Sequence, residues 1–162
     1  MARLSGVVIV TGAASGLGRE SALYFAECGA MVLAVDTNRR GLAEITSDRI
    51  EAFVADISRG EKCAAVARRA AEMGPVTGLL NSAGIERHGS VIDMPEDEWD
   101  RVMDVNLKAI FLLSKHVIPH MIANGGGSVV NMSSIQALAT QARVGAYGPK
   151  SDVMVPSQVE IA

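Results

Sequence analysis

Short apolar runs alternate with stretches of helical spacing along this chain, and that alternation constrains its fold more than any other feature. Residues 7–10, 31–35, 52–55, 76–80 and 128–132 read as five strands bounded by turn residues. Between them, residues 17–28 set Ala22, Phe25 and Ala26 on one helical face, with Gly29 as the stop. A short helical piece covers 42–45. Ser58 and Glu61 form a capping-box pattern ahead of a helix whose apolar face is Cys63, Val66, Ala67 and Ala70. Pro95 suits the first turn of one long helix reaching toward Ile122. Gly125, Gly126 and Gly127 then break the chain, and a last helix is expected to begin near Tyr147. Strands alternating with helices imply a parallel sheet covered on both faces, because parallel strands need crossover connections. Right-handed crossovers leave the doubly wound arrangement as the leading topology.

The length and charge narrow the function. The chain has 162 residues, which suits a single domain over 1–162. A net charge of -3 provides no basic field for nucleic acid. No apolar run approaches membrane-spanning length, and the run behind Arg3 is too short for a signal peptide and is followed by a glycine loop. Cys28 and Cys63 form neither a CxxC pair nor a disulfide framework, so they read as small core residues in a reducing cytoplasm.

The glycine loop carries the chemistry. Thr11-Gly12-Ala13-Ala14-Ser15-Gly16-Leu17-Gly18 lies between the first strand and the first helix. Glycines there permit a tight turn and close approach of backbone to a pyrophosphate, and the helix N-terminus offers free N–H groups. Asp36 ends the second strand, 18 residues after Gly18. A carboxylate at that point accepts hydrogen bonds from ribose hydroxyls and repels a 2′-phosphate, favouring NAD(H) over NADP(H). Arg39 and Arg40 follow and would soften that preference.

With these residues in place the chain resembles the short-chain dehydrogenase/reductase family. Its glycine spacing is that family's TGxxxGxG, with Thr11, Gly12, Gly16 and Gly18 at the fixed positions and Ser15 and Leu17 between them. Asp56-Ile57 resembles the pair after the third strand that contacts adenine. Asn81-Ser82-Ala83-Gly84 resembles the NNAG motif, with Ser82 in place of the second Asn. Asn106 matches the family's helix asparagine, Ser134 its catalytic serine, and Tyr147, 13 residues later, its catalytic tyrosine. The resemblance runs from Leu4 to about Lys150. It implies hydride transfer between NAD(H) and the alcohol or carbonyl group of a small-molecule substrate. Tyr147 would be the general acid/base, Ser134 would hold the substrate oxygen, Lys150 would favour the tyrosinate, and Asn106 would position a water in the proton relay. Gln136, Gln141 and Arg143 would line the substrate pocket.

The pattern breaks at its end. The family's Tyr-x-x-x-Lys stands here as Tyr147-Gly148-Pro149-Lys150-Ser151, one residue short. On a helix, position i+4 lies about 40° from Tyr147 and i+3 about 60° to the other side, so Lys150 would approach from the wrong side. Pro156 falls inside the same expected helix. The family continues through further strands and a substrate loop. The expected fold is therefore α/β, a Rossmann-type doubly wound parallel sheet in three αβα layers. Its strand order would be 3-2-1-4-5, it would lack the usual last strands, and its fifth strand would stand as an open edge. The alternative function is a nucleotide-binding or dimerising fragment without turnover. The family's homo-oligomer is doubtful for such a chain, because the last helix helps form its interface. His116 and His120, spaced i,i+4, have no third ligand at suitable spacing, so no metal site is expected. Glu86, Arg87 and His88 read as a solvated loop near the ligand-binding strand ends.

Overall fold

Alternation of side chains along each strand divides the core in two. The structure, a computed structural model, describes residues 3–90, 92–134 and the strand at 158–161. Five parallel strands, β1 (Val7–Thr11), β2 (Met31–Asp36), β3 (Ile50–Val54), β4 (Val76–Asn81) and β5 (Gly127–Asn131), lie in the order β3-β2-β1-β4-β5. The inner strands are apolar on both sides, as a sheet covered on two faces requires. Val8, Val10, Val32 and Ala34 face one layer, and Val7, Ile9, Leu33 and Val35 face the other. The first layer holds α1 (Gly16–Glu27) and α2 (Arg39–Ala43), which contribute Ala22 and Leu42. The second holds α3 (Gly60–Met73) and α5 (Ala109–Ala123), which contribute Val66, Ala70, Leu113 and Met121. The three-layer doubly wound expectation is met.

Local signals are met in part. α1 ends at Cys28, and Gly29 at φ 104° lets the Ala30 N–H close on the Phe25 carbonyl at 3.1 Å. The expected capping box does not form. α3 begins after Arg59 with no side-chain cap, and the Ser58 hydroxyl donates instead to Asp56 Oδ1 at 2.7 Å. A carboxylate two residues back is the stronger acceptor and takes the hydroxyl in an Asx-type turn. Glu61 remains in the first turn, where the helix dipole favours it.

The expected single long helix is also corrected. α4 (Glu96–Met103), capped by Pro95, passes into a π-helical turn at Asp104–Lys108 before α5. One extra residue in that turn re-aims the side chains on either side of it. Pro119, inside α5, is exposed, so the missing hydrogen bond falls on the solvated side where water can replace it.

The far edge of the sheet differs from expectation as well. β6 (Gln158–Ile161) runs antiparallel to β5, with Gly127 opposite Ile161 and Val130 opposite Gln158. It pairs the backbone groups that an open fifth strand would leave unsatisfied. The expected helix at Tyr147, and Tyr147, Lys150 and Pro156 themselves, lie outside the described residues. No helix among the described residues is long and apolar enough to cross a membrane.

Candidate functional site

The C-terminal ends of β1, β2 and β4 open onto one cleft of about 1000 Å³, at the point where the chain reverses direction across the sheet. Ligand crevices form there because crossovers on either side of β1 leave to opposite faces.

The glycine loop forms the floor. Gly12 sits at φ 69°, and a Cβ on it would meet the Ala83 backbone at 2.9 Å. A Cβ on Gly18 would collide with the Gly12 carbonyl. Gly18 thus allows α1 to start hard against β1, whereas Gly16, at φ 54°, faces open space. Ser15 is the N-cap of α1 in extended conformation, and its side chain caps nothing. The first N–H groups of the helix are therefore left to an external acceptor, beside exposed Leu17. Close-approach glycines and an uncapped helix start together fit a pyrophosphate.

Asp36 stands at the rim, at the end of β2. Its Oδ2 accepts from Ala14 N at 3.1 Å and its Oδ1 from Asn38 N at 2.9 Å. The carboxylate is thereby fixed against the glycine loop, and lone pairs remain on both oxygens for a diol. Thr11 ties the floor to the neighbouring strand end. Its hydroxyl donates to the Leu80 carbonyl at 3.4 Å and accepts from Ser82 N at 3.0 Å and Ala83 N at 3.1 Å. Asn81 ends β4 level with Asn131 of β5 and donates to its Oδ1 at 2.8 Å. Asn81 joins the two strand ends and lies behind the cleft surface, which Ala83 and Gly84 line.

Asp56 and Ile57 lie just past β3. Ser58's hydroxyl chiefly holds the Asp56 carboxyl below the usual range against its partial burial. The Ser58 N–H and the Arg59 and Arg101 guanidiniums add to this. Ile57 is buried at 7% exposure and gives an apolar surface beneath them. Nearby, Cys63 donates to the Ile57 carbonyl at 3.1 Å, and burial pushes its thiol up to about 11. It is a core residue, as expected.

Asn106 is fully buried in the π-helical turn. Its Oδ1 accepts from Ile85 N and its Nδ2 donates to Ile85 O, each at 2.8 Å. Both ends of the side-chain amide are thus used to clamp the Ile85 backbone at the cleft wall. Within the fold it acts as a positioning residue. Ser134 lies three residues beyond β5, and its neighbours Met132 and Ser133 line the cleft.

Tyr147 and Lys150, with Gln136, Gln141 and Arg143, fall outside the described residues. His116 and His120 are half-buried on α5, and no group of three metal-ligating side chains exists among the described residues. Glu86, Arg87 and His88 are exposed, and Arg87 pairs with Glu98 at 2.9 Å. Asp97, Asp100, Arg101 and Asp104 of α4 and the turn after it form the opposite wall of the cleft. Sequence reasoning missed them, because a charged helical stretch reads as a solvated face and only the crossover brings it over the cleft.

Residues 6–149 match the family model described as short chain dehydrogenase. The chain is 38% identical over 137 residues to "Dehydrogenase/reductase SDR family member 6" of Aquarana catesbeiana, covering 83% of this chain and 55% of that protein. The chain thus spans little more than half the length of that relative. Among solved structures, 3-ketoacyl-(acyl-carrier-protein) reductase from Brucella melitensis, complexed with NADH, superposes with a TM-score of 0.88 at 30% identity. The match covers 93% of this chain and 66% of that one. A gluconate 5-dehydrogenase from Burkholderia cenocepacia, in complex with NADP and tartrate, superposes with a TM-score of 0.85 at 27% identity, covering 94% and 63%. The fold, the ordered motif set and a family match over residues 6–149 agree: this chain belongs to the short-chain dehydrogenase family.

Proposed function

We propose that this chain holds NAD(H), in preference to NADP(H), and serves hydride exchange with a small secondary alcohol or ketone. The observation that carries the cofactor preference is Asp36. Its carboxylate is held by two backbone N–H groups at the end of β2, where it cannot swing away from a ribose. A 2′-phosphate there would meet a fixed negative charge. Solved relatives carry either NADH or NADP, so the preference rests on this chain's own residue. Thr11, Gly12, Ser15, Gly16, Leu17 and Gly18 would hold the pyrophosphate. Asp56, Ile57, Ala83 and Gly84 would receive the adenosine, with Asn81 fixing the strand end behind them. The nicotinamide, when bound, takes up or gives the hydride.

The remaining steps belong to side chains. Ser134 donates to the substrate oxygen and holds it toward Tyr147. Tyr147 moves the proton at its phenol oxygen, and the Lys150 ammonium lowers the cost of the phenolate, whose ordinary pKa of about 10 is too high for a base near neutrality. Asn106, its amide spent on Ile85, fixes the stretch of cleft wall beside which a proton-carrying water would sit. The two free, buried thiols Cys28 and Cys63 fit a reducing cytoplasm.

The early register of Lys150 favours a second reading, in which the chain binds the nucleotide without turnover. NADH titration and alcohol oxidation by the full chain separate the two. Turnover that falls about 10²- to 10⁴-fold in Tyr147→Phe supports catalysis. NADH binding without turnover leaves the second reading, and no NADH binding defeats both.

A further inference from the structure

Arg101 is the single cation among the described residues lining the cleft. It sits on α4 with Asp97 four residues before it and Asp104 three after, both at helical pairing distance. It forms no ion pair or hydrogen bond with either, although the cations around it are committed. Arg87 pairs with Glu98 at 2.9 Å, Lys108 with Asp104 at 3.0 Å, and Arg59 contacts Asp56 at 3.9 Å. Across the cleft, the Arg101 charge is felt at Asp56. An arginine with no ion pair or hydrogen bond among the described residues, yet lining a ligand cleft, is placed to engage a ligand.

The sheet order identifies which part of the ligand it meets. A pyrophosphate on the glycine loop lies at β1, and a ribose on Asp36 lies one strand out, at β2. The base extends next toward β3, where Asp56 offers a carboxylate and buried Ile57 an apolar surface. A carboxylate there accepts from an exocyclic amine, as adenine carries. Arg101 lines the same cleft, near enough for its charge to act on Asp56.

We infer that Arg101 is an adenine clamp, its planar guanidinium closing over the face of the purine that Asp56 and Ile57 receive. This rests on the NAD(H) reading above. Guanidinium groups stack on aromatic planes in a way that lysine ammonium groups do not. Such a clamp lowers escape of the cofactor without touching the reacting atoms.

The test compares the full chain with Arg101→Ala and Arg101→Lys, titrated with NADH, with NADPH, and with reduced nicotinamide mononucleotide, which lacks the adenosine half. Arg101 is exposed, and an unchanged melting temperature without ligand controls for folding. Arg101→Ala is expected to weaken NADH about three- to tenfold and leave the mononucleotide unchanged, with Arg101→Lys falling closer to Ala than to wild type. Equal losses for both ligands, or none for either, would overturn the clamp. A loss confined to NADPH would overturn it in favour of phosphate recognition. If wild type failed to bind NADH, the NAD(H) reading would fall and the clamp with it; if wild type bound NADH and Arg101→Ala bound it equally well, the clamp alone would fall.

Discussion

Single residues here act mostly through the backbone they hold. Asn106 shows this best, because its whole amide is spent on Ile85. Removing it leaves a part-buried N–H and C=O without partners, each worth about 1–3 kcal/mol. Asn106→Ala is expected to lower the melting temperature by about 4–24 °C and to weaken NADH, since the clamped segment lines the cleft. Asn106→Asp keeps the acceptor for Ile85 N but sets a carboxylate oxygen against the Ile85 carbonyl in a buried site, so near neutrality it should lose at least as much. An Ala variant melting with wild type would show that the clamp is not needed. The sequence placed Asn106 at this site through a motif. It could not show where the amide points, because the π-helical turn that aims it has no local signature in the sequence.

At the scale of elements, the glycine loop and α1 form one unit. Gly18 has no room for a Cβ against the Gly12 carbonyl, so Gly18→Ala must push α1 away from β1. Calorimetry should show NADH affinity down at least tenfold, with a lower melting temperature. Gly16→Ala meets open space and bears only the strain of φ 54°, of about 1 kcal/mol. Equal effects from the two would contradict the close approach. The glycine spacing was legible in the sequence because it follows backbone needs that only glycine meets. The capping box at Ser58 and Glu61 was misread for a related reason. Two carboxylates, Asp56 and Glu61, compete within a few residues for one turn, and local pattern does not rank them.

For the whole molecule, stability depends on pH through ion pairs that tie layers together. Arg69 on α3 holds Glu51 of β3 in a bidentate pair, Nε to Oε1 at 2.7 Å and a terminal nitrogen to Oε2 at 2.6 Å. These hydrogen bonds lower the Glu51 carboxyl from its ordinary 4.5. A depressed carboxyl contributes stability above that ordinary value and loses it as pH falls through the lower, folded one. The pair is part-exposed, so Glu51→Gln should cost about 0.5–1 kcal/mol at neutral pH, a fall of about 1–4 °C in melting temperature. That difference should close as melts are taken below the ordinary carboxylate range. A penalty that stayed constant from pH 7 to acid would show that the charge is not its cause.

The sequence by itself determined the doubly wound sheet, the division of the core and the glycine loop. Each follows from a repeating physical need: apolar strands covered on two faces, helices of one apolar stripe, and glycine where backbone closes on backbone. Only the tertiary structure decided the π-helical turn, the antiparallel β6 on the sheet edge and the charged α4 wall across the cleft. None of the three has a local signature. A bulged turn, an edge pairing and an arginine facing a ligand cleft all depend on which distant segment arrives beside them, and that is fixed only when the crossovers close.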